Sequence, residues 1–100
     1  MFSIIIPSYN NINYLKICIN SLKKNSFYNN EIIVHLNIGL DGSVEYLKST
    51  NTKFTHTNYN SGICEGVNLA SKLASHNFIV YAHDDFYFCP NWDKYLYEEI

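Results

Sequence analysis

Two adjacent carboxylates, Asp84 and Asp85, stand directly after an apolar run, Phe78 to Ala82. The run reads as a buried strand, so the acids fall at a strand's C-terminal end. In open α/β sheets, ligands bind just outside the carboxyl ends of the strands. Two acids there suit a hard cation such as Mg2+ or Mn2+, which takes oxygen ligands and often shares them with phosphates. Aromatics and Pro90 follow at once and stop the strand. An isolated Asp-Asp can equally begin a solvated turn, so the pair gains meaning only from the elements that place it.

Those elements alternate in type. Phe2 to Ile6 is a β-branched run closed by Pro7, read as a central strand buried on both faces. Ser8 to Asn11 is a loop able to cap a helix, in which Ile12, Leu15, Ile19 and Leu22 recur at helical spacing. Lys23 and Lys24 suit the negative end of that helix's dipole. Asn25 to Asn30 is turn-forming, and Glu31 to Leu36 is a second buried strand. Asp41 can N-cap a short helix carrying Val44 and Leu47. Lys53 to His56 is a weaker third strand. Asn60-Ser61-Gly62 opens a helix with Ile63, Val67, Ala70 and Ala74 on one face, Phe78 to Ala82 is the fourth strand, and Asp93 starts a last helix. Strict alternation predicts βαβ units with right-handed crossovers. The expected fold is α/β and Rossmann-like: a mostly parallel sheet of about four strands with flanking helices, in one domain over 1–100.

Composition removes several function classes. The formal net charge of −2 offers no basic surface for nucleic acid or an anionic membrane. Cys18, Cys64 and Cys89 are odd in number and lack zinc or redox spacing, so free thiols in a reducing, cytoplasmic setting are expected. No apolar run approaches the roughly 20 residues of a membrane span, and Met1 to Ile6 is too short for a signal peptide. Neither a dinucleotide-binding nor a P-loop glycine motif is present, nor a nucleophile elbow.

Five blocks in order carry a family resemblance. They are Phe2-Ser3-Ile4-Ile5-Ile6-Pro7-Ser8-Tyr9-Asn10, Glu31-Ile32-Ile33-Val34, Asp41-Gly42-Ser43, Asn60-Ser61-Gly62 with Asn68, and His83-Asp84-Asp85 followed by Pro90-Asn91-Trp92-Asp93. Together they resemble the donor-binding half of family 2 glycosyltransferases, inverting enzymes with a GT-A fold. The resemblance implies a UDP- or GDP-linked nucleotide sugar as partner. Pro7, Ser8 and Tyr9 would line the nucleotide, Asn37 would face the base, and Asn60 and Asn68 would shape the ribose side. Asp84 and Asp85 would meet the ribose and a Mn2+ or Mg2+ ion on the diphosphate. A cation there stabilises the charge that grows on the departing nucleoside diphosphate.

Two departures stand out. Where the family commonly has an acid at the second strand exit, this chain has Leu36-Asn37-Ile38-Gly39-Leu40-Asp41, so Asn37 or Ile38 replaces the acid expected to hold a pyrimidine. An amide still hydrogen-bonds a base edge, but not as a carboxylate does. The family's acceptor half would lie beyond Ile100, so the expected domain is truncated before it and no general base is named. Asp93, Glu98 and Glu99 read as a solvated helix face. His35 reads as a satisfied core histidine, and His83 as a third ligand, a ribose contact or neither. Tyr81, Phe86, Tyr87, Phe88, Trp92 and Tyr95 either stack on a ligand or fill the core. Two alternatives to a transferase stay open: an inactive nucleotide-binding relative, and a remnant that dimerises through an exposed sheet edge.

Overall fold

The computed structural model describes all of residues 1–100. Four strands and four helices alternate: β1 Phe2–Tyr9, α1 Ile12–Asn25, β2 Glu31–Asn37, α2 Ser43–Ser49, β3 Lys53–Thr57, α3 Gly62–Ser71, β4 Phe78–Tyr81 and α4 Trp92–Glu98. All strand pairs are parallel, in the order β3-β2-β1-β4. The chain builds outward from β1 to β3 on one side, then crosses to place β4 on the other. The strand order therefore reverses at β1, which makes the β1 exit a topological switch point.

The alternation of a strand's side chains sets two unequal layers. Phe2, Ile4 and Ile6 of β1, with Val34 and Leu36 of β2, join Leu15, Cys18, Ile19 and Leu22 of α1 and Leu47 of α2 in the main core. Ile5 and Ile33 point the other way, onto Ala70 of α3. The thin second layer needs small residues on α3, and Gly66 and Ala70 are its buried ones.

Pro7 does not end the first strand, as the sequence suggested; β1 continues through it to Tyr9. Ile5 accepts from Ala82 N at 3.0 Å, so the odd positions of β1 bond toward β4. Pro7 is the next odd position, and β4 has by then ended at Tyr81. The missing N–H of proline thus falls where the ladder has no partner to satisfy.

The fourth strand also departs from expectation. It is an edge strand, and Phe78, Ile79 and Tyr81 are exposed rather than buried. An apolar run cannot by itself distinguish a central strand from an edge strand.

Candidate functional site

At the switch point the exits of β1, β2 and β4 and the start of α3 enclose a cavity of about 390 Å3. Pocket volumes of small-molecule sites begin at about 300 Å3. Pro7, Ser8, Tyr9, Asn37, Asn60 and Asp84 all line it, joined by Asn11, Gly62, Ile63 and His83. Of the residues singled out from sequence, only Asn68 and Asp85 stay off the wall. Asn68 lies further along α3, in a neighbouring apolar hollow with Ile63, Cys64, Val67 and Tyr81. Asp85 is exposed. A hollow of similar size, about 420 Å3, sits around Glu31, Lys53 and His76, where β2 and β3 begin, away from every strand exit.

The acid pair is tied to the sheet by one bond. Ser8 donates its hydroxyl to Asp84 Oδ2 at 2.8 Å, joining the β1 exit to the loop after β4. That leaves Asp84 Oδ1 and both oxygens of Asp85 without protein donors. Their charge is felt beneath them. Burial pushes the Cys18 thiol up to about 12, with help from Asp84 and Asp85, so Cys18 is an inert core thiol. His83 packs its ring against Tyr81 and Phe86, with centroids 5.1 and 5.3 Å away, and meets the Tyr81 hydroxyl at 3.5 Å.

No three His, Cys, Asp or Glu side chains converge, so His83 does not complete a protein cage with the two acids. Mg2+ commonly keeps waters and binds through one or two carboxylates plus substrate phosphates. Asp84, with Oδ1 free on the cavity wall, offers one such carboxylate, and Asp85 is exposed next to it in the chain.

The opposite wall rests on a polar chain through the second layer. His35 is fully buried, with Nδ1 2.7 Å from Thr55 Oγ1 and Nε2 3.3 Å from both Thr57 Oγ1 and Ser61 Oγ. It is the satisfied core histidine the sequence suggested. Burial holds its pKa below the usual value. Its ring lies so close to α3 that a Cβ at Gly66 would come within 2.6 Å of it. Ser61 in turn donates its backbone N–H and its hydroxyl to Asn37 Oδ1, at 2.8 and 2.7 Å. Asn60 accepts from Gly62 N at 3.1 Å, which sets the turn into α3. Beside Asn37, Ile38 has φ +68°. A β-branched residue in that left-handed region is strained, and such strain gathers at functional sites.

Two motifs prove to be braces. Asp41 Oδ1 accepts from Ser43 N and Oγ at 3.2 and 2.6 Å, while Oδ2 accepts from Ile12 N at 2.8 Å. It therefore satisfies the first turn of α1 as well as that of α2, a task the sequence assigned to Ser8 to Asn11. Asp93 is not on a solvated helix face. It is fully buried and accepts from Phe27 N, Tyr28 N and Asn30 Nδ2, each at 2.8 Å. Burial would raise its pKa, but those three donors hold it below the usual value. Glu98 and Glu99 do face solvent. Phe88 and Trp92 fill the core, with Trp92 Nε1 donating to Ser26 Oγ at 3.0 Å; of the Phe, Tyr and Trp side chains, Tyr9 alone lines the cavity.

A family model described as glycosyl transferase family 2 matches residues 3–100. The chain belongs to glycosyl transferase family 2. Its four-stranded parallel sheet with flanking helices is the GT-A-like fold of this glycosyltransferase family. Among solved structures, it is similar to S. aureus TarS, with a TM-score of 0.85 and 27% identity over 97% of this chain and 19% of that one. TarS 1–349 in complex with UDP superposes with a TM-score of 0.86 at 27% identity, over 97% of this chain and 31% of that one. The complex of the same fragment with UDP-GlcNAc gives 0.81 at 27%, over 98% and 30%. The chain thus spans less than a third of each of these relatives. Comparison with curated proteins finds no match. No helix is long and apolar enough to cross a membrane.

Proposed function

We propose that the cavity at the β1 exit is the donor site of this glycosyltransferase domain. It would bind a nucleotide diphosphate sugar, UDP- or GDP-linked, for inverting transfer to a hydroxyl. The observation that carries the reading is the convergence of Pro7, Ser8, Tyr9, Asn37, Asn60 and Asp84, from four separate segments, on one cavity at the switch point. The likeness to TarS, whose structures hold UDP and UDP-GlcNAc, supports it.

Asp84 and Asp85 would hold Mn2+ or Mg2+, which when bound supplies positive charge against the diphosphate leaving group. Ser8 keeps Asp84 turned toward the cavity by occupying one carboxylate oxygen. Tyr9, half exposed at the rim, offers a ring for stacking on base or ribose. No residue of the chain is assigned as general base, because Asp93 is engaged by three donors and Glu98 and Glu99 stand at the end of the far helix α4.

Calorimetric titration of UDP and GDP, with and without Mn2+, tests this. Metal should tighten binding by about tenfold or more, and Asp85→Asn should abolish that gain. If neither nucleotide binds under any condition, the donor-site reading fails. The alternative is then a remnant that associates through the unpaired edge of β4, which light scattering would detect.

A further inference from the structure

His35 is fully buried between β3 and α3 and does not line the cavity, yet its hydrogen bonds lead to the cavity wall. The two nitrogens of an imidazole are distinct, and which one carries the proton is set by their partners. Here only one assignment satisfies every partner.

The backbone N–H of Ser61 can only donate, and it lies 2.8 Å from one end of the Asn37 carboxamide, so that end is the oxygen. The Ser61 hydroxyl lies 2.7 Å from the same oxygen. Two oxygens that close need a proton between them, and only Ser61 has one to give. The Thr57 hydroxyl is 2.8 Å from the Tyr59 carbonyl, which can only accept. Both hydroxyl protons are thus committed. Toward His35 Nε2, 3.3 Å from each, Ser61 and Thr57 offer lone pairs alone. Nε2 must therefore carry the proton of the ring. Burial keeps the ring neutral, so Nδ1 is bare and accepts from the Thr55 hydroxyl at 2.7 Å. One directed chain results: Thr55 donates to His35, His35 to Ser61, and Ser61 to Asn37.

We propose that His35, as the Nε2–H tautomer, is a positioning residue of the donor site, holding the Ser61 hydroxyl on Asn37 and so the entry of α3 against the end of β2. The proposal rests on the donor-site reading above. Ser61 stands between Asn60 and Gly62, and both of these line the cavity together with Asn37. Without a donor behind it, the Ser61 hydroxyl is free to turn its proton to the Gly62 carbonyl, 3.4 Å away. Asn37 then loses one of its two short bonds, and the wall is no longer set before the nucleotide arrives. Ordering it on binding costs affinity.

Two amides separate this role from simple packing. The amide nitrogen of Gln reaches about as far as Nε2 and can donate to Ser61; that of Asn stops about where Nδ1 stands. UDP and GDP are titrated calorimetrically with Mn2+ against the wild type, His35→Gln and His35→Asn, with urea midpoints to check folding. His35→Gln should bind within about twofold of the wild type, and His35→Asn about fivefold or more weaker, the scale of one hydrogen bond. Because His35 acts through the Ser61 hydroxyl, His35→Asn should weaken binding by less than about twofold once Ser61→Ala is present. Equal losses in the Gln and Asn forms, no loss in the Asn form, or losses that add with Ser61→Ala would each overturn the proposal. Nitrogen NMR of the wild type tests it with no variant at all: His35 should show a protonated Nε2 and a bare Nδ1, and the reverse tautomer would refute it. If neither nucleotide binds the wild type, the donor site itself falls, and the positioning role with it.

Discussion

Among individual residues, the acids of this chain divide by what surrounds them. Asp84 keeps a free oxygen at the cavity and Asp85 is exposed, whereas Asp93 spends both of its own on the turn between α1 and β2. Removing Asp93 strands two backbone N–H groups and an amide. Leaving buried donors unpaired costs about 1–3 kcal/mol for each, and water entering the gap would recover part of that. Asp93→Ala is therefore expected to lose about 3 kcal/mol of stability in urea unfolding. A loss under about 0.5 kcal/mol, the range of ordinary surface changes, would show that the three bonds carry little.

Between elements, the seating of α3 on β2 depends on one missing methyl group. His35 is held at both ring nitrogens, so it cannot swing away from a side chain at Gly66. A Cβ there would meet Cδ2 at 2.6 Å and Cγ at 3.1 Å. Alanine normally favours a helix interior by about 1 kcal/mol over glycine, and here the clash reverses the sign. Gly66→Ala should cost about 1–3 kcal/mol through overpacking. It should also weaken nucleotide binding, because the segment entering α3 and the end of β2 carry Asn60, Ser61 and Asn37. Thermal unfolding and the UDP titration check the two effects, and a Gly66→Ala variant more stable than wild type would contradict the packing argument.

Across the whole molecule, pH acts on the polar ties between strands. Glu31 joins Ser3 of β1, Lys53 of β3 and Ser75 ahead of β4. Burial alone would raise its pKa, but the Lys53 ammonium, the Ser75 N–H and the two hydroxyls hold it at about 2. An unfolded glutamate titrates near about 4.3. The stabilisation from Glu31 is therefore complete above that value and is lost as pH falls through about 2. Asp41 and Asp93, also held below the usual range, act in the same direction. His35 resists protonation in the fold, so acidification below an unfolded value of about 6.5 favours the unfolded state as well. Urea midpoints at pH 7, 5 and 3 should fall at each step. A higher midpoint at pH 5 than at pH 7 would contradict this account.

The order of strands and helices and the parallel sheet follow from the amino-acid pattern alone. Alternation of buried β-branched runs with helical spacing admits little else, and a parallel sheet brings its strand exits to one end. Pro7, Ser8, Tyr9, Asn37, Asn60 and Asp84 were singled out by the family resemblance, and each stands at such an exit. Packing in three dimensions settles the strand order, and with it that β4 is an edge strand with exposed Phe78, Ile79 and Tyr81. It leaves Asn68 outside the cavity, since α3 carries it past the rim. It turns Asp93 from a solvated acid into a buried brace, because its partners lie more than 60 residues away in the chain. It also orients the Asn37 amide, which no local pattern can do. That orientation comes from a backbone N–H 24 residues further on, brought into place only when α3 packs on β2.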